Sequence, residues 1–126
     1  MEIIHLGIVD DNPHLANQMV NNFSLFDHIK IVLMAKNGID LLEQLESTEP
    51  EIILMDVQMP EMDGIETTQH IVEYFLQKNI EMPHIIGLSA NILEKDIEKS
   101  MNAGMVDYMT KPFSIEKIVD MIQKWN

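Results

Sequence analysis

Residues Ile52, Ile53, Leu54 and Met55 run without a polar interruption into Asp56, and Val57-Gln58-Met59-Pro60 follows. In a strand, successive side chains point to opposite faces, so an unbroken apolar run needs cover on both. Such a run predicts an interior strand of a parallel sheet with helices above and below. Open α/β sheets place their chemistry outside the carboxyl ends of the strands. Asp56 therefore belongs at the rim of a crevice, as a candidate nucleophile or metal ligand.

The flanking sequence supplies the rest of such a sheet. Ile3 to Val9 predicts a first strand ending at Asp10-Asp11. Asn12 as cap and Pro13 in the first turn open a helix carrying Leu15, Met19, Val20 and Phe23 to about Leu25. Ile29 and Ile31 to Met34 predict a second strand. Asn37-Gly38 turns into a helix with Ile39, Leu42 and Leu45 on one face. Asp63-Gly64 opens a third helix with Ile65, Thr68, Val72, Phe75 and Leu76 inward. Ile85 to Leu88 predicts a fourth strand ending at Ser89. Ile92, Leu93, Ile97 and Met101 give the next helix a weak apolar stripe, and Gly104 suits a left-handed position after it. Met105 to Met109 predicts a fifth strand ending near Lys111-Pro112. Phe113, Ile115, Ile118, Val119 and Ile122 mark the last helix. Strict alternation demands right-handed crossovers. The expectation is a single α/β domain over residues 1–126, a doubly wound three-layer (βα)5 sandwich.

Charge and composition narrow the function. The chain has 126 residues, no cysteine and a formal net charge of −13, with eight basic residues, all lysine. Disulfides and thiolate zinc sites are excluded. Nucleic-acid binding needs a basic stripe and none is visible; an acidic membrane surface is disfavoured for the same reason. No apolar run reaches membrane-spanning length, and Ile3 to Val9 lacks the basic flank and cleavage site of a signal peptide. The expected location is cytoplasmic. The five histidines, His5, His14, His28, His70 and His84, show no metal spacing.

Four predicted strands end in reactive residues: Asp10 and Asp11, Asp56, Ser89, and Lys111. A doubly wound sheet brings these ends to one edge. Crowded carboxylates raise one another's pKa, and a hard divalent cation relieves that repulsion. Few ligands and no dedicated cage favour magnesium, which keeps waters and accepts phosphate oxygens. A lysine offers a point charge and a serine a hydroxyl donor to a phosphoryl group. Together they make a phosphoryl-transfer site, where positioning and charge stabilisation dominate.

Asp10-Asp11, Asp56 followed by Met59-Pro60 and Asp63-Gly64, Ser89-Ala90, and Lys111-Pro112-Phe113 closely resemble the receiver domain of two-component response regulators. The resemblance covers the whole chain. It implies the flavodoxin-like strand order 2-1-3-4-5, an arrangement the chemotaxis receiver exemplifies. It implies that Asp56 accepts a phosphoryl group from a phosphohistidine on a sensor histidine kinase or histidine phosphotransfer protein. Asp11 binds magnesium (or manganese) directly, Asp10 mainly through water, and the Gln58 backbone carbonyl completes the protein ligands. Lys111, Ser89 and Ala90 contact the phosphoryl group, Tyr108 rotates inward, and the peptide bond before Pro112 is cis. The implied output is a switched surface on the fourth helix, fifth strand and fifth helix. It would contact a downstream effector, in a monomer or a weak phosphorylation-dependent dimer. Such a domain catalyses only its own phosphorylation and dephosphorylation and is not otherwise an enzyme.

Three rivals share parts of this pattern. A haloacid-dehalogenase-type phosphohydrolase needs Asp-x-Asp after the first strand, where Asp10-Asp11-Asn12-Pro13 stands. A flavodoxin-like FMN carrier needs a Ser/Thr/Gly-rich phosphate loop there. A receiver-like interaction module that signals without phosphorylation usually lacks one of the acids or the lysine, and all are present here. Gly7 is unexpected inside a strand, where glycine weakens pairing.

Overall fold

The computed structural model describes residues 2–59, 62–90, 94–111 and 114–126. Strands β1 (Ile4–Val9), β2 (Ile29–Ala35), β3 (Ile52–Asp56), β4 (His84–Ser89) and β5 (Asp107–Thr110) alternate with helices α1 (Pro13–Phe23), α2 (Gly38–Gln44), α3 (Gly64–Lys78), α4 (Glu94–Ala103) and α5 (Ile115–Trp125). The strands pair in parallel in the order β2-β1-β3-β4-β5. The expected doubly wound α/β fold and strand order are both observed.

Strand β3 is central and buried along its whole length. Ile52 and Leu54 face a core with Met19 and Phe23 of α1 and Ile118 and Ile122 of α5. Ile53 and Met55 face the opposite core, with Leu41 of α2 and Ile71 of α3. Period-two alternation thus splits one apolar run between two helical layers. This fixes the register, because a one-residue slip would exchange the two cores. Asp56, the last residue of β3, pairs in register with Leu88 and has to leave the core where the apolar run stops.

Local signals set the helix starts. The Asn12 side chain accepts from the backbone N–H of His14 and Leu15 to cap α1. Asn37 caps α2 by accepting from Asp40, and Asp63 caps α3 by accepting from Glu66. Gly104 ends α4 with φ +128°, and Met105 N–H reaches back to the Ser100 carbonyl at 3.1 Å. This is the expected glycine stop, which spares a side chain that conformation.

Some helical faces differ from the sequence expectation. In α2 Ile39 is half exposed while Leu41 is fully buried, so the inward stripe is rotated from Ile39. In α3 Leu76 is 73% exposed, and Ile71 with Thr67 takes the inward place. Thr68 is buried as expected, while Thr67 escapes an apolar reading; the hydroxyls bond one turn back, Thr67 to Asp63 O and Thr68 to Gly64 O, leaving the methyl groups to pack. Helix α1 ends at Phe23, and Leu25 is exposed. Strand β5 starts at Asp107, later than Met105, because Met105 N–H is bonded to the end of α4.

Gly7 has a structural correlate. The β1–β2 register shifts between Leu6 and Gly7, leaving Val32 as the extra residue on β2. A glycine inside a strand often marks such an irregularity. A Cβ there would still meet only ordinary contacts, the nearest 3.5 Å from Ile53, Leu33 and Pro50.

Candidate functional site

The carboxyl ends of β1 and β3 lie side by side, since Val9 pairs with Met55. That register brings Asp10 and Asp11 beside Asp56. One carboxylate oxygen from each of the three lies within 4.8 Å of the others. Asp10 and Asp56 are buried and Asp11 is exposed, so the cluster is open on one side.

Lys111 follows β5 on the same edge. Its ammonium lies 3.5 Å from Asp10 Oδ2 and 3.6 Å from Asp56 Oδ1. Both separations exceed the 2.7–2.9 Å typical of a close ammonium–carboxylate bond, so one lysine is shared between two acids. Backbone N–H groups supply further anchoring. Asn12 donates to Asp10 Oδ1 at 2.9 Å, and Gln58 donates to Asp56 Oδ1 at 3.2 Å. Asp10 Oδ2 is buried without a hydrogen-bond partner among the described residues.

The cluster is electrostatically unsatisfied. Burial pushes the Asp56 carboxyl up, and the Asp10 carboxylate adds to this. Lys111 and the Gln58 N–H pull the other way, and the net result is a rise from 3.8 to about 7. Three acids stand together with one ammonium, which reaches two of them; Asp10 Oδ2 has that ammonium at 3.5 Å but no hydrogen bond among the described residues, and the donor set is all oxygen. These features fit a hard divalent cation such as magnesium.

The remaining expected residues fall around this rim. Ser89 is the buried last residue of β4, one place beyond the register partner of Asp56, and its carbonyl accepts from Lys111 N–H at 2.8 Å. Ala90 follows it on the surface. Gln58 is exposed two residues after Asp56. Tyr108 lies on β5, opposite Gly87 of β4, and is half-buried against the α2–α3 core. The expected cis bond before Pro112 falls outside the described residues. His14 is exposed on α1, with its Nε2 3.4 Å from Gln18, and takes no part in the acid cluster.

Two glycines near the site make close approaches that the sequence reading did not give. A Cβ on Gly64 would sit 2.5 Å from the Asp56 carbonyl oxygen and 2.8 Å from Val57 Cα. Its N–H donates to the Val57 carbonyl at 2.9 Å, so α3 starts in contact with the end of β3. A Cβ on Gly87 would sit 3.2 Å from the Tyr108 ring and 2.6 Å from Met105 Sδ. The Asp63-Gly64 pair signals a helix start, but close approach of two backbones is a tertiary fact that no local pattern announces.

Comparison with known proteins agrees with this geometry. The family model of the response regulator receiver domain matches residues 6–123. The sensor histidine kinase GacS of Pseudomonas protegens is 32% identical over 93% of this chain, which spans 12% of that protein. The chemotaxis protein CheY of Halobacterium salinarum is 32% identical over 91% of this chain and 90% of its own length. The receiver domain of the Saccharomyces cerevisiae response regulator Ssk1, solved with the histidine phosphotransfer protein Ypd1, superposes with a TM-score of 0.88. That likeness has 26% identity and covers 98% of this chain and 89% of the other. Among the described residues no helix is long and apolar enough to cross a membrane.

Proposed function

The chain belongs to the response regulator receiver domain family of two-component and phosphorelay systems, and from that premise we propose that Asp56 is its phosphoacceptor. The observation that carries this is the Lys111 ammonium held between Asp10 and Asp56 in a cluster of three carboxylates. Burying two acids around one lysine brings a resting fold little stability, because desolvation offsets the attraction. A site that receives a phosphoryl group has a use for the arrangement.

A carboxylate oxygen of Asp56 attacks phosphorus, forming the acyl-phosphate bond as the P–N bond of a phosphohistidine breaks. The electron pair leaves on the imidazole. Asp56 has to be ionised to attack, and the Lys111 ammonium favours that state. Magnesium held by Asp10, Asp11, Asp56 and the Gln58 carbonyl would neutralise charge on the phosphoryl oxygens. Lys111 pairs with the incoming group, and Ser89 with the Ala90 backbone completes its contacts. The domain catalyses only this self-phosphorylation and its reversal by water.

Phosphorylation replaces one negative charge with a group carrying about −2. Its contacts with Lys111 and Ser89 favour one arrangement of the segment after β4, and Tyr108 moves inward behind it. Turning a mostly inactive population mostly active takes roughly 5 kcal/mol of differential contact. The surface of α4, β5 and α5 is where the change is read by an effector. Helix α4 suits this, since Ser100 is its one buried residue among those described. The donor is a sensor histidine kinase or a histidine phosphotransfer protein, in the cytoplasm.

Labelling with a small acyl phosphate and magnesium tests the assignment. Wild type takes up label, a chelator prevents it, and Asp56→Ala abolishes it. Label surviving Asp56→Ala would refute the acceptor, and no label in wild type would favour an interaction module that signals without phosphate.

A further inference from the structure

The edge of the sheet opposite the carboxylates carries an open cleft of about 1110 Å³. It lies at the starts of β1, β3 and β4 and the ends of α2, α3 and α5. Buried Pro50, Pro83 and Ile52 form its floor, and Tyr74, Phe75 and Trp125 supply aromatic walls. Tyr74 and Phe75 meet edge to face at 5.1 Å.

Three independent features give this cleft a negative character. Glu46, Glu49, Glu51 and Glu81 all line it. Among the described residues only Glu51 of these has a side-chain partner, His5 Nδ1 at 3.0 Å. Because the helices run antiparallel to the strands, the carbonyl ends of α2, α3 and α5 reach this edge, each adding the negative end of a helix dipole. The aromatic faces already attract cations. Lys78 Nζ stands 5.0 Å over the Tyr74 ring, and Lys124 Nζ, ion-paired with Asp107 at 3.3 Å, lies 5.4 Å over the Trp125 ring. Exposed Ile80 adds an apolar shelf beside them.

We propose that this cleft is a docking site for a cationic segment of a partner protein. Its lysine or arginine heads would meet Glu46, Glu49 and Glu81. Its aliphatic stems would lie on Tyr74, Phe75 and Ile80, displacing the chain's own Lys78 from the Tyr74 ring. Charge complementarity selects the occupant, since acids, aromatic faces and helix C-termini all repel an anionic segment. The site is separate from the phosphoacceptor rim, at the other ends of the same strands.

Amide NMR on the 126-residue protein, titrated with a blocked tetrapeptide of alternating arginine and leucine, tests this. Expected are saturable shifts at Ile52, Phe75 and His84 and a change in Trp125 fluorescence, with a dissociation constant below about 1 mM. Binding should weaken with added salt. Glu49→Lys with Glu81→Lys should weaken it about tenfold, with an unchanged circular dichroism spectrum and unchanged phosphoryl labelling. The proposal is overturned by no saturation at millimolar peptide, by equal binding of the variant, or by equal binding of the peptide with glutamate for arginine. Shifts confined to the Asp10–Asp11 rim would overturn it too.

Discussion

Asp56→Asn should flatten the dependence of stability on pH when divalent ions are chelated. In the folded protein the Asp56 carboxyl is raised from 3.8 to about 7, by burial first and by the Asp10 carboxylate second. In the unfolded chain it titrates in the ordinary range. Between those values the folded state holds the extra proton, so stability falls as pH rises. The contribution is complete below 3.8 and lost as pH climbs through about 7. A gap of about three units is worth at most about 4 kcal/mol. Asparagine keeps the size and the accepting oxygen for the Gln58 N–H while removing the charge. Urea unfolding at about pH 5 and about pH 8 in chelator should show wild type losing about 2–3 kcal/mol more than the variant. Magnesium at about 100 times its dissociation constant should then restore about 2.7 kcal/mol to wild type at the higher pH. It should restore much less to the variant. Parallel pH profiles for the two proteins would refute the reasoning, since the acid cluster would then carry no excess charge.

Other consequences are equally direct. Gly7→Ala should raise stability by about 0.4–1 kcal/mol in the same assay, because space exists for the methyl group and the unfolded chain loses freedom. Gly64→Ala should cost about 1–3 kcal/mol and slow phosphoryl labelling, because its Cβ collides with the backbone of Asp56 and Val57. Asp107→Ala should cost about 1–2 kcal/mol, read by chemical unfolding, and shift Trp125 emission. In the folded protein burial pushes Asp107 up, but bonds from the Trp125 indole, the Tyr108 N–H and Lys124 outweigh it and hold its carboxyl below the usual value. Its contribution is present above the ordinary aspartate range and fades as pH falls through the lowered value.

The order of elements and the acid rim were legible because both depend on strong, local signals. An apolar run that stops at an aspartate fixes β3 and the placement of Asp56 together. Parallel topology then obliges the residues after β1 and β5 to arrive at the same edge, which is why Asp10, Asp11 and Lys111 could be grouped across a hundred positions. The helical faces were harder. In α2, Ile39 and Leu41 are both apolar, and only the direction of packing against β2 and α3 decides which one is buried. In α3, Thr68 lies inward as expected, but Thr67 hides its hydroxyl within the helix, which a hydrophobicity pattern does not register. Gly64 and Gly87 matter through distances to other elements, and a sequence holds no such distances. The cleft at the opposite edge arises from three helix ends that are remote along the chain, so no motif marks it.

Reductive mapping of the phosphorylated protein bears most directly on the chemistry. Borohydride converts an aspartyl phosphate to homoserine, and peptide mass spectrometry then reads the position. With a small phosphodonor and magnesium, homoserine is expected at position 56 alone, and none should form in chelator. Homoserine at position 10 or 11, or none anywhere despite bound magnesium, would contradict the assignment of Asp56 as the acceptor.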